Sequence, residues 1–87
     1  MTYVEIETIV KEVLGKQLTM DAGKINLDSR LVEDLGLDSF GSVEVAFELE
    51  EKFDIKIPDA ALYEAKTVKN IVDYISSQKE GRISNES

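Results

Sequence analysis

The sequence predicts an all-α fold, namely a small four-helix bundle with three longer helices, one short helix and a long first loop. Three segments carry apolar residues at the three- and four-residue spacing of amphipathic helices. A chain of 87 residues makes one small domain, because a chain this short buries only about 60% of the surface that it exposes when unfolded. Apart from the first loop, the connections are short, as they are in helical bundles.

The first helix is predicted from about Thr2 to Gly15. Its apolar residues, separated by charged ones, are Val4, Ile6, Ile9, Val10, Val13 and Leu14. Gly15 either closes this helix or lies within its last turn, because Leu18 continues the pattern.

The stretch from Thr19 to Leu37 is predicted to be a long loop, because glycine, asparagine and aspartate interrupt every regular period in it. A helical turn is expected near Ser29 to Asp34. Apolar side chains recur through the loop and are expected to fix it across the bundle. They are Ile25, Leu27, Leu31, Leu35 and Leu37.

Two further helices are predicted on either side of Pro58. Helix-forming residues are dense from Ser39 to Phe53. Pro58 biases Ile57 away from the helical conformation and suits the first turn of a short helix from Asp59 to about Glu64.

The last helix is predicted to begin after Thr67, which is suited to cap it, and to run to about Ser76. Its apolar stripe consists of Val68, Ile71, Val72 and Ile75. The polar residues 77–87 are predicted to form a mobile tail, so that residues 1–76 make up the folded domain.

Composition disfavours several classes of function. Eighteen Asp and Glu residues against ten Lys and Arg residues give a net charge of −8, which repels nucleic acids and attracts basic protein surfaces. The chain has no Cys and no His, which disfavours thiolate zinc sites and histidine-activated nucleophiles. The aspartates at positions 28, 34 and 38 lack the ligand spacing of a calcium-binding EF-hand loop. We therefore predict no catalytic residue, no metal site and no nucleic-acid partner.

The location expected from the sequence is the cytoplasm. No stretch reaches the roughly 20 apolar residues needed to cross a bilayer, which predicts no membrane insertion. The first residues are acidic, whereas a secretory signal begins with basic residues followed by apolar ones.

The helix from Ser39 to Phe53 has two apolar faces when it is drawn at about 100° per residue. One face, with Val45, Ala46, Leu49 and Phe53, is the expected core stripe. The opposite face carries Phe40, Val43 and Phe47, flanked by Glu44, Glu50 and Glu51. Either the long loop covers these apolar residues, or they form a docking surface whose acidic rim attracts a basic partner. We favour the docking surface.

Asp38 and Ser39 lie where the long loop meets this helix, and either residue is suited to cap it. Ser39 has no histidine to activate it as a nucleophile, and Lys52 lies at the other end of the helix. A serine at a helix N-terminus is, however, well placed to carry a phosphate ester, because free backbone amides and the helix dipole favour an anion there. Ser39 is therefore either a cap only or a residue that another enzyme modifies.

Several short runs of residues strongly resemble the acyl carrier protein family, and together they cover roughly residues 4–76. In chain order these runs are EDLGLDSF at 33–40, VE at 43–44, LEEKFD at 49–54, IPD at 57–59, TV at 67–68 and IVDYI at 71–75. The resemblance implies a carrier and not an enzyme. It implies that Ser39 receives 4′-phosphopantetheine from coenzyme A through a phosphopantetheinyl transferase, and that the thiol of this arm carries acyl groups as thioesters.

The resemblance also implies partners and a place for the cargo. The partners are the transferase and acyl-loading, elongating or acyltransferase enzymes of fatty acid or lipid synthesis, which use basic patches and bind a monomeric carrier. The implied docking residues are Asp38, Phe40, Val43, Glu44, Phe47, Glu50 and Glu51. An acyl chain can fold back between the helices of such a carrier, and the expected lining residues are Ala46, Leu49, Leu62, Ala65 and Ile71.

Two residues depart from the common motif, which has leucine after the serine. Phe40 and Gly41 make the run DSFGSVE, which resembles the D-alanyl carrier proteins of cell-wall modification. Three interpretations therefore remain open. The first is an acyl carrier of lipid synthesis or of a specialised pathway, the second is a D-alanyl or aminoacyl carrier, and the third is an unmodified interaction module with a carrier-like fold.

Overall fold

A computed structural model of the chain describes the backbone of residues 2–86 and the side chains of residues 2–79. Its four α-helices are α1 (Tyr3–Leu18), α2 (Ser39–Phe53), α3 (Asp59–Glu64) and α4 (Val68–Glu86). A single turn of 3₁₀ helix, Ala22–Lys24, lies in the first loop. The described residues form no strand beyond one isolated bridge, and none of their helices is long and apolar enough to cross a membrane. The predicted all-α bundle is confirmed.

Helix α1 begins at a capping box. The Thr2 hydroxyl accepts a hydrogen bond from the Glu5 amide at 3.2 Å, and the Thr2 amide donates to the Glu5 carboxylate at 2.7 Å. The helix runs past its expected end at Gly15 to Leu18, where Thr19 closes it in the left-handed conformation with a φ of 55°.

Gly15 lies inside α1 for a steric reason. A Cβ atom at this position would lie 2.8 Å from the carbonyl oxygen of Met20, so only glycine lets the first loop turn back against the helix. The glycine therefore marks a close contact and not the end of the helix.

The first loop is fixed by apolar anchors and by a turn. Ile25, Leu31 and Leu37 are buried in the core, and Leu27 and Leu35 pack against it, as predicted. The expected turn spans residues 31–35, and the Arg30 carbonyl accepts hydrogen bonds at 3.0 Å from the amides of Asp34 and Leu35.

Three backbone hydrogen bonds attach this loop to the start of α4. The amides of Val68 and Lys69 donate to the carbonyls of Ser29 and Leu27 at 3.1 and 2.9 Å, and the Leu31 amide donates to the Lys66 carbonyl at 2.9 Å. These hydrogen bonds fix the part of the loop that precedes α2 and Ser39.

Helices α2 and α3 have the predicted bounds, and α4 begins where predicted. The Thr67 hydroxyl accepts a hydrogen bond from the Asn70 amide at 3.2 Å, which confirms Thr67 as the cap.

The end of α4 differs from the prediction, because the helix continues to Glu86 instead of ending near Ser76. Half of residues 77–86 are good helix formers, and the Lys79 ammonium donates a hydrogen bond to the Phe53 carbonyl at the end of α2. The predicted domain boundary at residue 76 therefore falls inside a helix. The expected mobility of residues 77–87 stays a prediction. Ser87 and the side chains from residue 80 lie outside the described residues.

Helices α1, α2 and α4 enclose the core. The largest fully buried side chain is that of Phe53, near the end of α2, and both Ile6 of α1 and Ile75 of α4 are also buried. The Tyr3 hydroxyl donates a hydrogen bond to Asp73 at 2.6 Å, which ties the start of α1 to α4. Helix α3 is short and has no fully buried residue, so it closes one side of the bundle more loosely than the other helices do.

Candidate functional site

Asp38, and not Ser39, caps α2. Its carboxylate oxygen Oδ1 accepts a hydrogen bond from the Gly41 amide at 2.7 Å. Ser39 is the first helical residue, its side chain is exposed, and its hydroxyl forms no hydrogen bond with any residue in the described part of the chain. The cap is therefore complete without the Ser39 hydroxyl, which is left accessible at the positive end of the α2 dipole.

Gly41 allows the Asp38 carboxylate to approach the first turn of α2 closely. A Cβ atom at this buried position would lie 3.0 Å from Asp38 Oδ1 and 3.2 Å from a methyl carbon of Leu37. Both distances are tighter than ordinary contact, so a larger residue here would push the cap or Leu37 aside. Gly41 is thus explained by packing at the start of α2.

A groove of about 540 Å³ opens beside Ser39, with walls from the first loop, α2, α3, the residues before α4 and Ile71 of α4. Its lining includes Val32, Tyr63 and Lys66, which were not predicted as site residues. Val32 and Tyr63 are 65% and 73% exposed, which is unusual for large apolar side chains. Tyr63 was detectable only as an aromatic residue on a helix too short to show a periodic pattern.

A second cavity of about 330 Å³, lined mainly by apolar side chains, lies between α2, α3 and α4. Its walls include all five residues expected to line a cargo site, which are Ala46, Leu49, Leu62, Ala65 and Ile71. Val45, Leu62, Ala65 and Ile71 line both the cavity and the groove at Ser39, so the two spaces share these side chains as a common wall.

The α2 strip, which we define as Phe40, Val43 and Phe47, faces away from the core. These side chains are 64%, 45% and 62% exposed, so the first loop does not cover them. Since an apolar strip of this kind is rarely left uncovered by chance, it is a candidate docking surface.

The acids around the α2 strip differ in their surroundings. Asp38, Glu44 and Glu51 are exposed, and Glu44 accepts a hydrogen bond from the Gln17 side chain at 3.2 Å. Glu50 is half-buried, and its Oε2 accepts a hydrogen bond from the Ile57 amide at 2.7 Å. Glu50 therefore supports the connection before α3, a role that the sequence pattern did not reveal.

Comparison with known proteins gives consistent results. A family model described as a phosphopantetheine attachment site matches residues 5–75. An acyl carrier protein of Helicobacter hepaticus is 47% identical over 70 residues, which cover 80% of this chain and 92% of that protein. An acyl carrier protein of Onion yellows phytoplasma is 48% identical over 67 residues, which cover 77% of this chain and 88% of that protein.

The fold is also similar to that of a solved structure. The solved structure is of a protein from Mycobacterium tuberculosis that is assigned to the acyl carrier proteins. The two structures superpose with a TM-score of 0.79 at 30% sequence identity. The match covers 84% of this chain and 97% of the other.

Proposed function

The chain belongs to the acyl carrier protein family, and on this premise we propose that Ser39 is its attachment residue for 4′-phosphopantetheine. Members of the family are carriers and not catalysts, as the sequence predicted. When bound, the arm supplies a terminal thiol that holds acyl groups as thioesters.

The single observation that carries the assignment to Ser39 is its free, exposed hydroxyl at the first position of α2. Because Asp38 makes the cap, Ser39 can be esterified without loss of a helix-capping hydrogen bond. The backbone amides of the first helical turn and the helix dipole favour a phosphate at this position. The groove beside Ser39 offers room for the arm.

The α2 strip and its acids are proposed to be the docking surface for the transferase and for acyl-loading, elongating or acyltransferase enzymes. The strip would supply the apolar centre of the contact. Asp38, Glu44 and Glu51 are exposed and would attract a basic patch, although Asp38 and Glu44 each accept one hydrogen bond within the protein. The net charge of −8 would speed the encounter. Glu50 contributes charge, but one of its oxygens already accepts the Ile57 amide. A monomeric state and a cytoplasmic location stay predictions.

The apolar cavity between α2, α3 and α4 is proposed to hold the acyl chain. Each buried methylene stabilises the loaded protein by about 0.8 kcal/mol, so a chain of several carbons would gain by leaving water. A D-alanyl group is too short and too polar to use such a cavity. The cavity therefore favours the acyl carrier over the D-alanyl carrier, although the run DSFG remains similar to the latter.

Modification of the purified chain with coenzyme A and a broad-specificity phosphopantetheinyl transferase tests the assignment. We expect intact mass to show one pantetheine adduct on the wild type and none on Ser39→Ala. Ser42→Ala is the matched control, because Ser42 lies one helical turn away and its hydroxyl already donates to the Asp38 carbonyl at 2.9 Å. This control should accept one adduct.

The same experiment can overturn the assignment. An adduct that persists on Ser39→Ala would place the arm elsewhere. A folded wild-type chain that stays unmodified, while the transferase modifies another carrier, would favour the unmodified interaction module. Loading the modified chain with acyl-activating and amino-acid-activating enzymes then separates the two carrier functions.

A further inference from the structure

Lys66 is the one cationic side chain that lines the groove at Ser39 in the described part of the chain. The other charged residues of this groove are acidic and comprise Glu33, Asp38 and Asp59. No described carboxylate lies within ion-pair distance of the Lys66 ammonium, although Lys11, Lys16, Arg30 and Lys69 each have such a partner. Lys66 is thus an unpaired cation in an acidic groove.

The backbone of Lys66 is held firmly on both sides. Its amide donates a hydrogen bond to Asn70 Oδ1 at 2.8 Å, and its carbonyl accepts from the Leu31 amide at 2.9 Å. Its ammonium lies 3.5 Å from the Tyr63 carbonyl at the end of α3, a long contact that is readily exchanged for a stronger one. The side chain therefore starts from a fixed point on the groove wall and remains free to bind an anion.

We propose that the Lys66 ammonium pairs with the phosphate of the 4′-phosphopantetheine on Ser39 and holds the arm against the groove. This inference rests on the proposed attachment at Ser39. A phosphate on Ser39 would share the groove with three carboxylates, and a lysine in the same groove offsets their repulsion. Lys66 is a positioning residue, because it sets where the arm leaves the protein and takes no part in its chemistry.

The test compares modified wild type with Lys66→Gln, Lys66→Arg and Lys24→Gln. Lys24 is the matched control, since it is exposed, has no ion-pair partner among the described residues and does not line the groove. Each chain is modified with isotope-labelled pantetheine, and intact mass confirms the adduct. Two quantities are then measured, the ³¹P chemical shift of the phosphodiester and the heteronuclear NOE of the two amides in the arm.

We expect Lys66→Gln to move the ³¹P shift most of the way to that of a short phosphopantetheinyl-serine peptide and to lower the arm NOEs. Lys66→Arg should retain most of the wild-type values, and Lys24→Gln should match the wild type. Added salt should move the ³¹P shift and the arm NOEs of the wild type toward those of Lys66→Gln. The reason is that salt screens a partly exposed ion pair, with a screening length of about 8 Å at physiological ionic strength.

Equal ³¹P shifts and arm NOEs in wild type and Lys66→Gln at low salt would overturn the inference while leaving Ser39 as the attachment residue. If Lys66→Gln does not fold, the wild-type salt titration decides, and a shift that does not respond to salt overturns it. A wild-type chain that accepts no arm overturns both this inference and the proposed function.

Discussion

At the scale of single residues, two glycines of this carrier are explained by what lies next to them. Gly15 faces the Met20 carbonyl, and Gly41 faces the Asp38 carboxylate and Leu37. Neither residue has a positive φ, so neither is needed for an unusual backbone conformation. Both are needed because another part of the chain approaches the helix closely.

Gly15→Ala is expected to lower the free energy of unfolding by about 1 to 2 kcal/mol. The added methyl group would overlap the Met20 carbonyl, and this overpacking exceeds the gain of up to about 1 kcal/mol from better helix propensity. Urea unfolding followed by circular dichroism measures the change. Gly23→Ala is the control, because its Cβ would meet its nearest neighbour at an ordinary 3.4 Å. Equal stability of Gly15→Ala and wild type would contradict the steric explanation.

The contact between Tyr3 and Asp73 makes stability depend on pH in two ranges. The pKa of Asp73 is lowered mainly by the hydrogen bond from Lys69 and also by the one from Tyr3. The contribution of Asp73 to the stability of the fold is therefore lost as the pH falls below about 4. The hydrogen bond to Asp73 raises the pKa of Tyr3 to about 12, so its contribution is present below about pH 10 and is lost as the pH rises to about 12.

Thermal unfolding across this pH range tests both effects. Asp73→Asn should flatten the acidic limb of the stability curve, and Tyr3→Phe should flatten the alkaline limb. The hydrogen bond and ion pair from Arg30 also lower the pKa of Asp34, so the acidic limb should not vanish altogether. Curves that stay parallel to that of the wild type in both ranges would show that the contact carries no stability.

At the scale of elements, α2 combines a capped first turn with the proposed docking surface. Asp38 caps its first turn, Asp54 closes it in the left-handed conformation with a φ of 54°, and the residues between present a buried face and an exposed face.

Substitutions of Asp38 separate the cap from the charge. Asp38→Ala should lower the free energy of unfolding by about 1 kcal/mol, whereas Asp38→Asn should stay close to the wild type, because asparagine caps helices as well as aspartate does. Both variants lose a carboxylate beside Ser39, and both should be modified more slowly by a transferase with a basic patch. If only Asp38→Ala is modified slowly, the cap matters for modification and the charge does not.

At the scale of the whole molecule, three helices carry the stable core and α3 covers the cavity. The cavity walls come from α2, α3 and α4 and from the residues between them, while α1 packs on the other side. The short α3 has no fully buried residue and no side-chain cap at its start. Among the helices around the cavity, α3 is therefore the one most easily displaced to admit the proposed acyl chain.

Cargo of increasing length should raise the melting temperature of the loaded wild type, since each buried methylene adds about 0.8 kcal/mol. Ala65→Phe should weaken this dependence on length, because Ala65 lines both the groove and the cavity. Val4→Phe, at an exposed position on α1, is the control and should leave the dependence unchanged. A wild-type melting temperature that is the same for short and long acyl groups would contradict storage of the chain in the cavity.

The sequence by itself determined the elements and the candidate residues that lie within one element. The bounds of α2 and α3 and the start of α4 follow from local signals such as Asp38, Pro58 and Thr67. Ser39 and the α2 strip follow from helical periodicity and from the family motif. These features were predictable because caps, turns and helix faces depend on residues close together in the chain.

Only the tertiary structure decided how separate elements meet. It showed that Asp38 rather than Ser39 makes the cap, that Gly15 lies inside α1 and that Glu50 holds the Ile57 amide. It also brought Val32 of the first loop, and Tyr63 and Lys66 at the end of α3 and just after it, to the groove at Ser39. Periodicity describes the faces of one helix, whereas these contacts depend on the path of a long loop and on packing between distant segments.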